Sequence, residues 1–213
     1  MNKKNAVEQF QKTMLGQVDA ELTTSLLTVT SVINIDKKQE LFAEGETGKF
    51  VYFLIDGAIR LFRTNLEGKE CVVRFVAPGE IFAEILFSER VNYPVSSMAV
   101  QNSTLLAINA SGFFKLVEAN PSFTMKYIAS ITKRLKYFVD LVENLTTADV
   151  QSRFISYLNH AVEEKGESTI SLPVPKGDLA LLLGTTPESF SRTLKKLSQD
   201  GVIDVKGKSI TLL

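Results

Sequence analysis

The sequence is poor in the side chains that carry metal and redox chemistry. It holds one cysteine, Cys71, and one histidine, His160. A single thiol cannot close an intramolecular disulfide, and alone it cannot hold a cysteine-ligated iron–sulfur cluster. Cys71 lies in the alternating run Lys69-Glu70-Cys71-Val72-Val73-Arg74-Phe75, where a small buried hydrophobe is expected rather than a redox sensor. One histidine outside any strand-like run supplies no two-histidine ligand set, so no metal site is expected. No nucleophile–base pairing and no phosphate-cradling glycine loop is present. A non-enzyme is expected.

Net charge is missing too. The 24 Lys and Arg balance the 24 Asp and Glu, which excludes a coat of charge for non-specific nucleic-acid binding. A locally basic reading surface stays open, because recognition depends on where charges sit. No apolar run approaches the roughly 18–20 residues that span a bilayer. The start, Met1-Asn2-Lys3-Lys4-Asn5-Ala6, leads into mixed sequence without a signal-peptide apolar core. No membrane partner and a cytoplasmic location are expected.

What is present divides into three stretches. From about residue 32 to 108 short apolar or alternating runs are broken by turn residues, as in Phe50 to Ile55 before Asp56-Gly57. Such regular strands with a glycine at each corner predict a β-roll or sandwich. From about residue 121 to 145 the period changes. Ile128, Ile131, Leu135, Phe138, Val142 and Leu145 are spaced 3, 4, 3, 4 and 3, a heptad seam that suits pairing of two helices. Packing within the same domain competes, but the regularity favours a homodimer. Asn120 is placed to cap this helix and Pro121 to open it.

The third stretch carries the function. Residues 149–164 read as a helix ending at Lys165-Gly166, and Thr169 to Val174 as strand-like. A short helix from Lys176 to Leu183 is broken by Gly184, as the tight turn between two crossing helices often requires. Thr186 then suits an N-cap and Pro187 the first helical position. At about 100° per residue, Phe190, Leu194 and Leu197 share one face. Glu188, Ser191, Arg192, Lys195 and Gln199 share the other. In a major groove arginine donates twice to guanine, and glutamate accepts from cytosine N4. Glu188 and Arg192, four apart, could share one G·C pair, with Ser191 beside them. A solvated face with an i,i+4 ion pair is the competing reading.

The segment after this helix decides between them. Val202 to Val205, the turn Lys206-Gly207-Lys208 and Ser209 to Leu212 read as a basic-tipped hairpin. A helix-turn-helix leading into such a hairpin is a winged helix, with Lys206 and Lys208 placed to touch phosphate. The expected fold class is α+β: an N-terminal double-stranded β-roll over residues 1–120, a long dimerisation helix over 121–146 and a winged helix-turn-helix over 147–213. The expected partners are double-stranded DNA and a second copy of the chain.

Over nearly its whole length, the chain resembles the CRP/FNR superfamily of bacterial regulators, whose parts occur in this order. Thr186-Pro187-Glu188-Ser189-Phe190-Ser191-Arg192 carries the Glu-x-x-Ser-Arg signature of FNR-type recognition helices. The resemblance implies a palindromic target with TTGAT-like half-sites, with Glu188 and Arg192 on the G·C pair and Ser191 on a thymine. Thr186, Ser189, Lys195, Lys176, Lys206 and Lys208 join them as the expected DNA-binding set. It also implies RNA polymerase as a partner if the protein is an activator.

The resemblance implies a sensor pocket formed by Phe82, Ala83, Glu84, Ile85, Tyr93, Pro94, Val95, Phe138 and Val139. Cyclic-AMP-binding members place an arginine ten residues after the ribose-binding acid. Here Glu84 is followed by Pro94 and Val95, and Phe138 and Val139 stand where those members use polar side chains. A cyclic phosphate without a cation leaves its charge unpaired in a pocket, so cyclic AMP is not expected. The iron–sulfur sensing of FNR is excluded by the cysteine count. Phe82-Ala83-Glu84, Asn92-Tyr93-Pro94 and Pro187 to Arg192 are closest to the Dnr-type branch, whose members respond to nitrogen oxides. That branch implies haem and nitric oxide as candidates for the effector, although the sensor offers no histidine ligand. A regulator without an effector, controlled by its abundance, and a cupin-like metal enzyme are the alternatives.

Overall fold

The computed structural model describes residues 1–68, 70–84, 92–147, 149–172 and 174–213. The chain divides into two compact units, Met1–Thr132 and Lys133–Leu213. The first unit begins with α1 (Lys3–Leu15) and α2 (Ala20–Val29). The strands β1 (Thr30–Ile35), β2 (Glu40–Phe42), β3 (Phe50–Asp56) and β4 (Ile59–Thr64) come next. Then come β5 (Glu70–Val76), β6 (Ile81–Phe82), β7 (Ser96–Ala99), β8 (Ser103–Asn109) and α3 (Ala110–Ala119). The long α4 (Pro121–Thr147) passes from the first unit into the second. Beyond it lie α5 (Val150–Lys165), β9 (Thr169–Ser171), α6 (Lys176–Leu182), α7 (Pro187–Gln199), β10 (Ile203–Lys206) and β11 (Ser209–Leu212).

The architecture is mixed α+β. In the first unit two four-stranded antiparallel sheets, ordered β1-β8-β3-β6 and β2-β7-β4-β5, form the roll. Ile35, Phe42, Leu54, Ile59, Val76, Ala99 and Leu105 fill the space between them. The outer face of the first sheet is not solvated. Val51, Phe53, Ile55, Leu106 and Ile108 meet Ala6, Val7 and Phe10 of α1, Leu26 of α2, Phe113 of α3 and Phe123 of α4. With both faces covered, β3 reads as an unbroken apolar run instead of alternating. Phe10 and Phe53 meet edge to face at 5.2 Å, and each such buried ring contributes about 1.5–3 kcal/mol.

The short helices α1, α2 and α3 carry no long periodic stripe, but their caps are legible. Asn2, Asp19 and Asn109 each accept a backbone N–H three residues on, satisfying donors that a helix start leaves open. Gln11, fully buried, donates to Thr23 Oγ1 at 2.7 Å and accepts from Asp19 N–H at 2.8 Å. That amide locks α1 to α2.

One local expectation is corrected. Cys71 is exposed, not buried. Between Leu61 and Phe62 the partner on β5 jumps from Arg74 to Val72, a bulge that leaves the alternation of β5 intact, with Val72, Arg74 and Val76 buried and Cys71 outside. Arg74 therefore faces inward with Val72 and Val76, and Cys71 lies opposite Arg63 next to the hairpin turn. Asn120 ends α3, with φ −129° and ψ 83°, as Pro121 opens α4. Its carbonyl accepts the Thr124 N–H at 2.9 Å.

Candidate nucleic-acid interface and sensor interior

The helix pair of the second unit is built from local signals. Gly184 takes φ +64°, a left-handed conformation that glycine adopts at no steric cost, and so lets the chain turn from α6 to α7. Thr186 is the N-cap of α7, its hydroxyl accepting from Ser189 N–H, and Pro187 stands at the first helical position. Phe190, Leu194 and Leu197 are buried. Phe190 meets Phe154 of α5 edge to face at 4.9 Å, so α7 rests on a ring from α5.

The opposite face of α7 is open. Glu188, Ser191, Arg192, Lys195 and Gln199 are all exposed. Arg192 donates to Ser189 Oγ at 2.9 Å, a bond across one helical turn that holds the guanidinium near the helix start. The Glu188 carboxyl is held below the usual carboxylate range, first by its own backbone N–H, then by the Thr186 hydroxyl, with Arg192 adding a smaller attraction. An acid in the first turn also suits the helix dipole.

The hairpin after α7 is a wing. Lys206 pairs with Ser209 across the two-residue turn Gly207-Lys208, and Gly207 has φ +62°. β11 also pairs with β9, giving a three-stranded sheet ordered β10-β11-β9. Lys206 and Lys208 are exposed at the tip, whereas Lys176 at the start of α6 is half-buried. Lys206 pairs with Asp204 at 2.8 Å, and this partner raises its pKa.

Residues 32–120 match the family described as the cyclic nucleotide-binding domain. Residues 152–213 match the Crp-like helix-turn-helix domain, and this second match covers α6, α7 and the wing. The chain is a CRP/FNR-type DNA-binding regulator of transcription. Among curated relatives, this regulator is similar to the cyclic AMP receptor protein of Thermus thermophilus. The two are 28% identical over 163 residues, 76% of this chain and 74% of that protein. It shares its fold with FixK2 from Bradyrhizobium japonicum, at a TM-score of 0.75 and 22% identity, over 86% of this chain and 92% of that one. The structure of DNR from Pseudomonas aeruginosa is also similar, with a TM-score of 0.53 and 26% identity, over 100% of this chain and 96% of that one.

The residues expected to line a sensor pocket in this regulator fall into different surroundings. Phe82 and Tyr93 are buried with Phe42 and Tyr52. The Phe42 and Tyr93 rings stack at 3.9 Å, and Tyr52 and Phe82 at 5.5 Å. Tyr93 donates to the Phe50 carbonyl at 3.1 Å. Burial, and then Tyr93, push the Tyr52 phenol well above its ordinary pKa. Ala83 holds φ +64°, unusual for a residue with a Cβ, and Glu84 comes next, half-buried. Pro94 is exposed and Val95 half-buried; Ile85 lies outside the described residues. Phe138 and Val139 belong to the second unit, half-buried and exposed respectively.

Along α4, Met125, Ile128, Ile131, Leu135, Val139 and Val142 are all exposed, between 42% and 66%. The side chain of Leu145 lies outside the described residues. Met125 and Val139 extend the apolar stripe beyond the heptad positions read from the sequence.

Proposed function

We propose that this regulator binds, as a homodimer, a palindromic operator with TTGAT-type half-sites, reading each through Glu188, Ser191 and Arg192. The observation that carries the reading is the open face of α7, where Arg192 is held by Ser189 beside an ionised Glu188. A fixed guanidinium loses less freedom when it donates to guanine O6 and N7, and Glu188 accepts from the paired cytosine. Ser191 lies against a thymine. Lys195, Lys176, Lys206 and Lys208 take backbone phosphates and set the register, Lys206 exchanging Asp204 for DNA. The apolar stripe on α4 is the dimer seam, because an exposed row of this kind is normally covered. Two reading heads about 34 Å apart then meet successive major grooves. Such a protein works in the cytoplasm, engages RNA polymerase if it activates, and catalyses nothing.

The effector is other than cyclic AMP. Where the phosphate-binding arginine of cyclic-AMP binders would stand there is Pro94, exposed and uncharged. Haem, which the Dnr-type resemblance implies, does not fit the residues present. The one histidine, His160, sits on α5 of the second unit beside Tyr137, so the first unit offers no histidine to an iron. The packed rings between the sheets favour a second reading, an effector-independent regulator controlled by abundance.

Fluorescence anisotropy against a TTGAT palindrome and a scrambled duplex, at fixed salt, tests the main reading. Equal affinity for both duplexes would remove it. Thermal shift with cyclic AMP and hemin tests the sensor, since a ligand specific to the folded state raises the melting temperature.

A further inference from the structure

The three-stranded sheet of the second unit has two faces of opposite character. Ile170 of β9, Ile210 of β11 and Ile203 of β10 are buried on its inner side. Side chains alternate along a strand, so Thr169, Ser171, Ser209, Thr211, Asp204 and Lys206 stand on the outer side. The register sorts these six into two rows across the sheet. Lys206 pairs with Ser209 and Ser209 with Ser171; Asp204 pairs with Thr211 and Thr211 with Thr169. The rows differ in chemistry. In the second, the Thr169 and Thr211 hydroxyls bond each other at 2.9 Å, and Asp204 closes the row with a carboxylate. In the first, neither serine hydroxyl has a hydrogen-bond partner among the described residues, and the row ends on a lysine. Threonine is favoured in strands and serine is not among the favoured residues, so strand preference accounts for the second row alone. The first row also adjoins the wing tip. Leu172 N–H donates to the Lys208 carbonyl at 2.9 Å, which ties the end of β9 to the turn.

We propose that Ser171 and Ser209 are DNA-backbone contacts, which extend the hold of the wing from its tip lysines across the sheet to β9. The row is two strand spacings wide, about 10 Å, and charges along one DNA strand recur every 3.4 Å of axis, roughly a third of that width. Lysine and serines therefore serve more than one phosphate. A serine hydroxyl donates to a phosphate oxygen and carries no charge, so it fixes position without adding to the long-range pull. Electrostatics chooses the row. A phosphate meets Lys206 and Lys208 beside the first and the Asp204 carboxylate at the end of the second, so the backbone lies along the first. Neither serine belongs to the α6–α7 pair, and Ser171 sits on a strand that precedes it. The inference rests on reading the wing as a phosphate-binding element.

Anisotropy of the full chain on the TTGAT palindrome and on a scrambled duplex, each across a series of sodium chloride concentrations, is the test. Ser171→Ala and Ser209→Ala are each expected to weaken binding to both duplexes by about 3–10-fold, as loss of one hydrogen bond does. The slope of log affinity against log salt should stay that of the parent chain, because a hydroxyl displaces no counterion. Ser209→Thr keeps the hydroxyl and should keep the affinity, and Thr211→Val, in the other row, should leave binding as it is. Ser171 is exposed and Ser209 half-buried, both on the solvent side of the sheet, so the alanine variants should melt with the parent chain. Parent-like affinity in the alanine variants overturns the proposal. So does a loss confined to the palindrome, which would mean that the serines act through α7, and so does a lowered slope, which would mean that they act by displacing a lysine. Failure of the reading beneath it looks different. Unchanged slopes in Lys206→Ala and Lys208→Ala would free the wing from the phosphates altogether, whatever the serine variants do.

Discussion

Arg192 donates to Ser189 Oγ across one turn of α7 at 2.9 Å, so the guanidinium is directed by its own helix before any DNA arrives. Replacing Arg192 with alanine should cost about 1–3 kcal/mol of discrimination at one base pair. The dimer should stay intact by light scattering. Ser189→Ala should weaken specific binding by a smaller factor, because it removes orientation and leaves the reading group in place. If Arg192→Ala still protects the same palindrome in a footprint, the assignment of the reading residue is wrong.

Glu188 gives a pH signature. Its folded pKa is depressed, chiefly by its own N–H and then by Thr186, so its stabilising contribution is present above the unfolded value. That contribution is lost as pH falls through the folded pKa, below the ordinary glutamate range. Thr186→Val should move the midpoint back up. An NMR titration of the Glu188 side chain checks this, and an unchanged midpoint in the variant would show that the hydroxyl plays no part.

The exposed stripe on α4 predicts a dimer that charge can break. Leu135 is 62% exposed in the single chain. Leu135→Asp should therefore leave folding intact while weakening association by roughly 2 kcal/mol or more, about 30-fold. Sedimentation equilibrium reads the association, and circular dichroism reads the fold. A fully dimeric variant would place the seam elsewhere.

The wing lysines should act without sequence preference. Lys206→Ala or Lys208→Ala is expected to weaken binding to the palindrome and to a scrambled duplex alike. Each should reduce the slope of log affinity against log salt by about 0.9. An unchanged slope would mean that the wing stands clear of the phosphates.

Gly57 marks a steric limit in the roll. It has φ +101°, and a Cβ there would run into Ser103 Oγ and lie 2.6 Å from Ser103 Cα. Ser103 is itself engaged with Ala58 N–H and the Gln101 carbonyl. Gly57→Ala should destabilise the unit by about 2 kcal/mol, a fall of roughly 4–8 °C in its melting temperature. Calorimetry measures it, and an unshifted transition would show that the turn rearranges freely.

The helix α7 was legible because everything that builds it is local. Thr186, Pro187 and Gly184 mark its start and the turn before it, and the spacing of Phe190, Leu194 and Leu197 marks the face that packs. The wing was legible for the same reason, through Lys206-Gly207-Lys208. The stripe on α4 could be read from its spacing, although Met125 and Val139 broaden it beyond strict heptads. The helices α1, α2 and α3 went unread, since each is short and their caps at Asn2, Asp19 and Asn109 were the main signals.

The sequence alone therefore determined the order of the parts and the polar composition of the open face of α7, because caps, turns and helical periods depend on neighbours in the chain. Tertiary structure decided which way the strands face. Whether Cys71 or Arg74 turns inward depends on which face of β5 meets the other sheet, and whether Val51, Phe53 and Ile55 are covered depends on helices from both ends of the first unit. Those are pairings between distant segments, and a one-residue change of register sends every later side chain to the other face. A pairing of the same kind sets Ser171 beside Ser209 on the wing sheet, although the whole of α6 and α7 lies between them in the sequence.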